Sequence, residues 1–387
     1  MELTADARAV REAITAARYG LVDRETVTET VVLCAVAREH LLVVGAPGTA
    51  KSEAVRRVAR HFGGRLFEYL LGRFTEPNEI FGPVDLRRLR EGVVEVETAG
   101  MLPEADVAFL DEVFLGSSAI LNTLLGLLNE RTYRRGSTEL AVPLRVCVAA
   151  SNTLPDDPAL AAFADRFLAR VFVEPVADAR LEELLETGWS ANGFQPKGAD
   201  RPQAVGGAGL LPALDRLADA ARGCDLDGVR LQLATAVRRL RGAGVQLTDR
   251  RAVRSQRLIA AAAVLDGRTA ATDADLWVLP LIAPTADAQA LARDTLADLL
   301  GEARNASLLH TAEELSRGPG ARAARLAATG AELLADLGLP PYDRDARLRV
   351  EATLREVDAS FAADALPEGL RSVRDRLAAA VAAQTAP

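Results

Sequence analysis

Short apolar runs alternate with longer helical patterns from residue 41 to about residue 175. Near-continuous apolar runs separated by helices are typical of a parallel sheet that is covered on both faces. The pattern therefore predicts a five-stranded α/β domain. Its predicted strands are residues 41–44, 66–70, 107–110, 144–149 and 171–173.

The rest of the chain has helical periodicity. Residues 5–40 predict two helices with a break at 20–23, and a loop-like stretch at 187–209 precedes helices at about 209–222, 226–242 and 249–264. Thr272 and Asp275 predict a capped start for one more helix. Further on, two apolar stripes with helical spacing predict a terminal bundle. The stripes are Val350, Leu354, Val357, Phe361 and Leu370, Val373, Leu377, Val381.

Composition narrows the class of protein. Hydrophobic residues make up 49% and charged residues 26% of 387 residues, which is ordinary for a well-cored protein. A net charge of −8 gives no general attraction to nucleic acid. No apolar run is long enough for a membrane span, and the N-terminal residues do not resemble a signal peptide. We therefore expect a cytoplasmic protein with no nucleic-acid partner and no transmembrane segment.

A glycine-rich segment between a predicted strand and a predicted helix is the strongest local pattern. It reads Gly45-Ala46-Pro47-Gly48-Thr49-Ala50-Lys51-Ser52. Such loops bind phosphates through backbone amides and the N-terminus of the following helix. Lys51 is expected to reach the β- and γ-phosphates, and Ser52 to bind Mg²⁺. Ala50 stands where the strict pattern has glycine, and its Cβ is tolerable if the residue has helical φ and ψ.

A pair of acids follows the apolar run at 107–110. The carboxyl ends of parallel strands are where α/β sheets bind ligands. We expect Asp111 to hold the Mg²⁺ shell and Glu112 to orient and polarise an attacking water. An Asp-Glu pair in this place is also a common helix cap, so the prediction depends on the elements around it.

Two further elements lie at strand ends. Asn152 follows a buried strand and is placed to contact the γ-phosphate or the attacking water, although an Asx-turn is an equal alternative. Arg166 and Arg170 lie just before the last strand, within Asp165-Arg166-Phe167-Leu168-Ala169-Arg170. An arginine there cannot easily reach its own nucleotide, but it can reach a neighbour's.

Together these segments resemble the MoxR branch of AAA+ ATPases over roughly residues 12–285, and several resemble its RavA-type regulatory subgroup. The branch-level segments are Ala50-Lys51-Ser52, Leu110-Asp111-Glu112, Ala150-Ser151-Asn152-Thr153-Leu154-Pro155 and Asp165-Arg166-Phe167-Leu168. The segments similar to the subgroup are Glu68-Tyr69-Leu70, residues 74–83, 100–105 and 119–125, and Asn129-Glu130-Arg131.

The resemblance implies a fold and a set of roles. It implies an α/β AAA+ core with a five-stranded parallel sheet in residues 1–185, an all-helical lid in 186–285 and a C-terminal helical bundle in 286–387. Lys51 and Ser52 become Walker A residues, Asp111 and Glu112 Walker B residues, and Asn152 sensor 1. The adenine is expected against the N-terminal linker, which is Gly20, Leu21, Val22 and Asp23.

Two roles in the family belong to arginines, and for each role the sequence offers two candidates. Arg166 matches the arginine finger that acts on a neighbouring subunit, and Arg170 is the alternative. Arg250 best matches the sensor 2 arginine, which touches the γ-phosphate of its own subunit, and Arg251 is second. Thr248 is the predicted N-cap of the helix that carries both.

The function that the resemblance implies is hydrolysis of ATP with Mg²⁺ in a ring, expected to be a hexamer, which remodels or activates a protein client. A partner with a von Willebrand factor A (vWA) domain is also expected. Residues 76–100 correspond to an insert of the family, with a hairpin arm at 93–97 facing the pore. The β-rich insertion of RavA-type proteins is not expected in residues 286–387.

Three other functions share part of the pattern. An ATP-gated switch or scaffold with little turnover is the chief alternative. A small-molecule kinase has no use for Asn152, Arg166 or the helical lid. A DNA translocase related to the MCM helicases is disfavoured by the acidic charge.

Overall fold

The computed structural model describes residues 2–176, 180–182, 184, 185, 187, 209–337, 344–361 and 366–383. The strands are β1 Leu41–Gly45, β2 Leu66–Leu70, β3 Val107–Asp111, β4 Thr132–Arg135, β5 Thr138–Ala141, β6 Val146–Ser151 and β7 Ala169–Val173. The helices of the first half are α1 Glu2–Arg18, α2 Glu25–Ala37, α3 Lys51–Phe62, α4 Pro77–Phe81, α5 Leu86–Arg90, α6 Ser118–Glu130 and α7 Pro158–Ala164.

The second half is helical. Its α-helices are α8 Leu211–Arg222, α9 Arg230–Gly242, α10 Asp249–Leu265, α11 Ala286–Thr295, α12 Ala297–Leu300, α13 Leu309–Ser316, α14 Pro319–Asp336, α15 Arg344–Ser360 and α16 Glu368–Ala383. In the described ranges, 3₁₀ segments lie at Leu102–Glu104, Val113–Leu115 and Asp273–Ile282. None of the helices in the described ranges combines the length and apolar character of a membrane span.

Five strands form one parallel sheet in the order β2-β3-β6-β1-β7, which confirms the predicted α/β core. The first residue of β1, Leu41, pairs with Val148 on one side and Ala169 on the other. All five strands therefore end at the same side of the sheet. We call that side the carboxyl edge, and the opposite side, where the strands begin, the amino edge.

Alternation along β1 divides the core into two layers, because successive side chains of a strand point to opposite faces. Leu41 and Val43 belong to a cluster with α1, α2, α3 and the helices of the second half. Leu42 and Val44 belong to a cluster that contains residues of α4 and α6. Burial of both faces explains why the sequence of this strand is continuously apolar.

The helical second half confirms several predictions. Thr272 and Asp275 form a capping box at the start of the 3₁₀ segment Asp273–Ile282, and Thr248 caps α10. Val350, Val357, Leu370 and Leu377 of the two predicted stripes are buried. One apolar cluster contains residues from all three predicted domains, and the division at 185/186 and 285/286 stays a prediction. Residues 188–208 of the predicted loop at 187–209 lie outside the described residues.

The sequence analysis missed the hairpin of β4 and β5. Arg135 pairs with Thr138, so Gly136 and Ser137 form a two-residue turn, a pattern typical of tight hairpins. The predicted arm at 93–97 is present as a short antiparallel pairing between Val84 and Val96. This arm also contacts the new hairpin, where the Ser137 amide donates to the Val94 carbonyl at 2.8 Å.

Candidate functional site

The glycine-rich segment connects β1 to α3 at the carboxyl edge. Glycine is required at position 45, because a Cβ there would lie 2.4 Å from the Val173 carbonyl oxygen of the neighbouring strand. Lys51 is 7% exposed, and its Nζ donates to the Gly45 and Ala46 carbonyls at 2.6 and 3.0 Å. The loop thus encloses its own cation, in the arrangement that a phosphate-binding loop requires.

Ala50 departs from its predicted conformation. Its φ of 56° and ψ of 24° are left-handed, not the helical values on which tolerance of its Cβ depends. A left-handed conformation costs a residue with a Cβ about 1–2 kcal/mol. The loop therefore holds backbone strain at the residue before Lys51, and strain of this kind concentrates at functional sites.

The two acids after β3 lie in the same place. The Asn152 amide Nδ2 donates to Glu112 Oε1, and the Glu112 amide donates to Asp111 Oδ1 at 3.0 Å. Glu112 is also left-handed, with φ at 50°. Because β6 lies between β1 and β3 in the sheet, Asn152 stands between the loop and the acids.

The pKa of Lys51 indicates that Lys51 lies close to the two acids. Burial lowers the pKa of Lys51, while the charges of Asp111 and Glu112 act against that shift. In the ranges that the structure describes, neither acid forms an ion pair with an arginine or a lysine. Their carboxylates are consequently available to a cation.

Mg²⁺ would fit between the Ser52 hydroxyl and the Asp111 carboxylate, since both are hard oxygen ligands. The described residues contain no group of three His, Cys, Asp or Glu side chains that could hold a metal by themselves. Mg²⁺ is commonly bound by one or two protein oxygens together with phosphate oxygens and water. The donor set therefore suits Mg²⁺ only in company with a phosphate ligand.

The N-terminal linker lies against this loop. Gly20 and Asp23 have positive φ values of 72° and 55°, and Val22 is buried. The Asp23 carboxylate accepts from Arg180, and Arg57 of α3 donates to the Tyr19 carbonyl. The structure thus brings the predicted adenine-side linker next to the predicted phosphate loop.

Arg24 is a site residue that the sequence analysis missed. It is 4% exposed, and it donates to three carbonyls: Thr49 of the loop at 2.6 Å, Glu174 after β7 at 3.0 Å, and Asp23 of the linker. Burial lowers its pKa against the attraction of Asp23 and Glu25. No motif marks this arginine in the sequence, because its partners are backbone oxygens, two of them far away along the chain.

The arginines near the last strand lie at the amino edge. Arg170 is 6% exposed, and its Nη1 donates to the Pro284 carbonyl. Burial lowers its pKa to about 10. This side chain is held inside the protein, so the structure disfavours Arg170 as a residue that reaches another subunit. Arg166 is only partly buried and lies in the loop between α7 and β7.

Arg250 and Arg251 are not where a contact with the chain's own nucleotide requires them. Arg251 donates to the Phe167 and Leu168 carbonyls, directly before the residue that pairs with the start of β1. The phosphate loop begins at the other end of that strand, four steps of about 3.3 Å away, or roughly 13 Å. The structure therefore corrects the prediction that either arginine contacts the γ-phosphate in its own subunit.

The amino edge is rich in positive charge. A cleft of about 820 Å³ opens there, and Arg250 lines it at the exposed start of α10. Among the described residues, Asp215 is the one acid in its lining, and it already pairs with Arg38 and Arg145. The arginines of the lining are Arg38, Arg131, Arg145, Arg222, Arg250, Arg254 and Arg257.

The sequence model of one protein family matches residues 8–205, more than half of the chain. The family is described as the MoxR domain in the MoxR-vWA-beta-propeller ternary systems. Two uncharacterized proteins of Methanocaldococcus jannaschii, MJ0812 and MJ0079, are each 35% identical over 63% of this chain. Chaperone MoxR1 of Mycobacterium tuberculosis is 26% identical over 44% of this chain and 46% of that protein.

The match spans 63% and 62% of the lengths of the two archaeal relatives, less than two thirds of each. Among solved structures, a "putative ATPase" from Cytophaga hutchinsonii aligns with a TM-score of 0.61. The alignment covers 77% of this chain and 95% of that one at 16% sequence identity. At that identity the likeness supports the fold alone.

Proposed function

The chain belongs to the MoxR family of AAA+ proteins, in the branch described from MoxR–vWA–β-propeller systems, and from that membership we propose that it hydrolyses ATP. One observation carries the proposal. Lys51, Asp111, Glu112 and Asn152 come from three separate strand ends and meet at one edge of the sheet. Positioning and charge neutralisation are what phosphoryl transfer requires of a protein.

Each side chain has one task in this proposal. Lys51 neutralises charge on the β- and γ-phosphates, and the linker with Arg24 holds the loop beside the adenine. Ser52 and Asp111 would hold Mg²⁺, whose charge would offset that of the phosphates. Glu112 orients and polarises the attacking water, and Asn152 fixes the Glu112 carboxylate.

We further propose that a second copy completes each site, in a closed ring such as a hexamer. The two edges of one sheet lie on opposite sides of the subunit, so Arg166 and Arg250 are out of reach of the loop in their own chain. Head-to-tail contacts that close into a ring would bring the amino edge of one subunit to the carboxyl edge of the next. Arg166 would then act as the finger, and Arg250 would act beside it.

Phosphate release tests the proposal. The wild type with ATP and Mg²⁺ should turn over, and Glu112→Gln should bind ATP equally well and lose about 10²–10⁴-fold in rate. The specific activity of the wild type should rise with protein concentration until scattering shows complete assembly. If Glu112→Gln hydrolyses ATP at the wild-type rate, Glu112 does not activate the water.

The second candidate is an ATP-gated switch with little turnover, and one contact favours it. Asn152 already donates to Glu112 Oε1, which leaves the carboxylate one free oxygen and makes it a weaker base toward a water while this bond lasts. A switch predicts ATP-dependent assembly with equal phosphate release from the wild type and Glu112→Gln. The two candidates therefore make opposite predictions in the same experiment.

The client-directed role is the finer part of the proposal. We infer that ATP turnover remodels or activates a protein client together with a vWA-domain partner, as the RavA-type segments and the family description suggest. A vWA-domain protein from the same organism should co-elute with the Glu112→Gln variant in ATP and separate in ADP. Equal elution in both nucleotides would leave the ATPase proposal standing and remove the coupling.

A further inference from the structure

The first turns of α10 form hydrogen bonds to the loop that carries Arg166. Arg251 is 1% exposed, and its guanidinium bonds to Asp165 Oδ1 at 2.9 Å and to the Phe167 and Leu168 carbonyls at 3.2 and 2.6 Å. Its Nε donates to the Ile282 carbonyl at 2.8 Å. Three of the four bonds from this buried side chain therefore go to residues that flank Arg166 on both sides in sequence.

A second arginine of the same helix continues the contact. Arg254 lies three residues after Arg251, so both side chains project from one face of α10. Its Nη1 donates to the Arg166 carbonyl at 3.4 Å, and its Nε donates to Glu39 at 3.0 Å. Glu39 is fully buried, and this ion pair fixes Arg254 to the start of the sheet.

We propose that Arg251, with Asp165 as its ionic partner, is a positioning residue for the trans-acting Arg166. This inference rests on the proposed function, because it gives Arg251 a role only if Arg166 acts on a neighbour's nucleotide. The amides of the segment from Asp165 to Phe167 bond back to α7. The carbonyls of Arg166, Phe167 and Leu168 accept instead from Arg254 and Arg251 of α10. A displacement of α10 therefore moves the finger, and the helical half of one subunit sets the hydrolysis rate in the next.

Planar geometry makes arginine necessary at this position. A guanidinium presents several N–H donors in a fixed fork, whereas an ammonium is a point charge that cannot reproduce them. Arg251→Lys therefore keeps the charge and loses the fork. Asp165→Asn keeps the size of the side chain and removes the ionic partner, and the Asp165 side chain is 31% exposed, so this change is gentle on folding.

The experiment compares Asp165→Asn and Arg251→Lys with Arg166→Ala. A misplacement of about 1 Å can cost 10²-fold in rate, so both variants should lose about 10–100-fold in turnover while ATP affinity and ring size stay at wild-type values. Arg268→Lys is the matched control, because Arg268 pairs with buried Asp275 at 2.6 Å in the same helical region and does not contact the finger loop. It should keep the wild-type turnover.

A double-mutant cycle separates positioning from other roles. If Arg251 and Asp165 act through Arg166, then Asp165→Asn added to Arg166→Ala should lower turnover no further. Mixing Asp165→Asn with Lys51→Ala protein should restore activity, since the Lys51→Ala subunit supplies a correctly held finger. Independent, multiplying losses in the double variant would overturn the inference, and so would unchanged turnover in Asp165→Asn.

The proposed function fails separately from this inference. An Arg166→Ala variant with wild-type turnover removes the finger and the positioning role together. If Arg166→Ala loses turnover as predicted while Asp165→Asn and Arg251→Lys keep the wild-type turnover, the positioning role alone is removed. If Arg251→Lys does not assemble, Asp165→Asn and the cycle still decide the matter.

Discussion

The two edges of the same sheet are built in opposite ways. At the carboxyl edge, Ala50 and Glu112 have left-handed backbones, and among described residues Asp111 and Glu112 have no arginine or lysine in an ion pair. At the amino edge, acids are matched to arginines: Glu39 with Arg254, and Asp106 with Arg145. Positive φ values occur there too, but at the ends of α2 and α6, where helices commonly finish this way.

The difference indicates what each edge has to do. A site that binds and releases a ligand needs groups that are strained or incompletely satisfied, whereas a surface that presents an arginine needs a fixed geometry. The carboxyl edge contains strained and incompletely satisfied groups, and the amino edge has the fixed geometry. In the proposed ring, each edge of one chain would supply what the other edge of its neighbour lacks.

The largest effect on nucleotide affinity is expected at the phosphate loop. Lys51→Ala removes the cation from the phosphates, and charged hydrogen bonds contribute about 1.5–3 kcal/mol each. ATP affinity should fall by at least about 100-fold in a direct binding measurement. Arg60→Ala, in the exposed last turn of the same helix, is the matched control. Equal ATP affinity in the Lys51 and Arg60 variants would show that Lys51 does not contact the phosphates.

Arg166 and Arg170 should differ sharply although they lie four residues apart. Trans fingers have been worth about 10³–10⁵ in rate in other phosphoryl-transfer proteins. Arg166→Ala should lose turnover on that scale and keep both ATP binding and stability. Arg170→Lys should lower the thermal midpoint, because a buried guanidinium is replaced, and keep turnover in the folded ring. The reverse result would make Arg170 the finger.

Arg24 is expected to have an intermediate effect. Arg24→Ala removes the bonds that hold the linker, the loop and the end of β7 together, and we expect about a 10-fold loss of nucleotide affinity. ATP and ADP should weaken alike, while turnover at saturating ATP changes little. Arg8→Ala removes an exposed ion pair from α1 and serves as the control. A loss confined to turnover at saturation would contradict the positioning role of Arg24.

The smallest effect concerns strain in the loop. Ala50→Gly relieves a left-handed conformation, which stabilises the folded state by about 1–2 kcal/mol. The added glycine also stabilises the unfolded state through its entropy, by about 0.4–1 kcal/mol. The nucleotide-free protein should therefore gain roughly 0.5 kcal/mol in free energy of unfolding. Ala54→Gly, in the buried interior of the same helix, should lose about 1 kcal/mol. Changes of the same sign in urea unfolding would show that Ala50 is not strained.

The sequence was sufficient where the determinants are local. Apolar runs predicted all five strands of the parallel sheet, and the Thr272–Asp275 pattern predicted its capping box. The Gly136-Ser137 turn also carries a local signal, since a Gly-Ser pair is typical of a two-residue hairpin. The edge that holds Lys51 and the acids followed from strand direction, a general property of parallel sheets.

The sequence was insufficient where side chains contact distant backbone. The motif placed Arg251 near the start of a helix, but its partners depend on how α10 docks against the loop before β7. Arg24 could not be predicted for the same reason, because its partners are the backbone carbonyls of Thr49 and Glu174, and every residue type has such a carbonyl. Long-range contacts of this kind are determined by tertiary packing, and periodicity carries no information about them.

The central claim is that one chain's carboxyl edge is completed by another chain's amino edge. Mixing Arg166→Ala with Lys51→Ala tests it most directly, after labelled subunits have been shown to exchange. Each variant alone should be nearly inactive, and in an equimolar random mixture about a quarter of the sites should join an intact loop to an intact finger. Phosphate release that recovers toward that fraction is the predicted result. No recovery in freely exchanging rings would contradict the account and place Arg166 outside the neighbour's site.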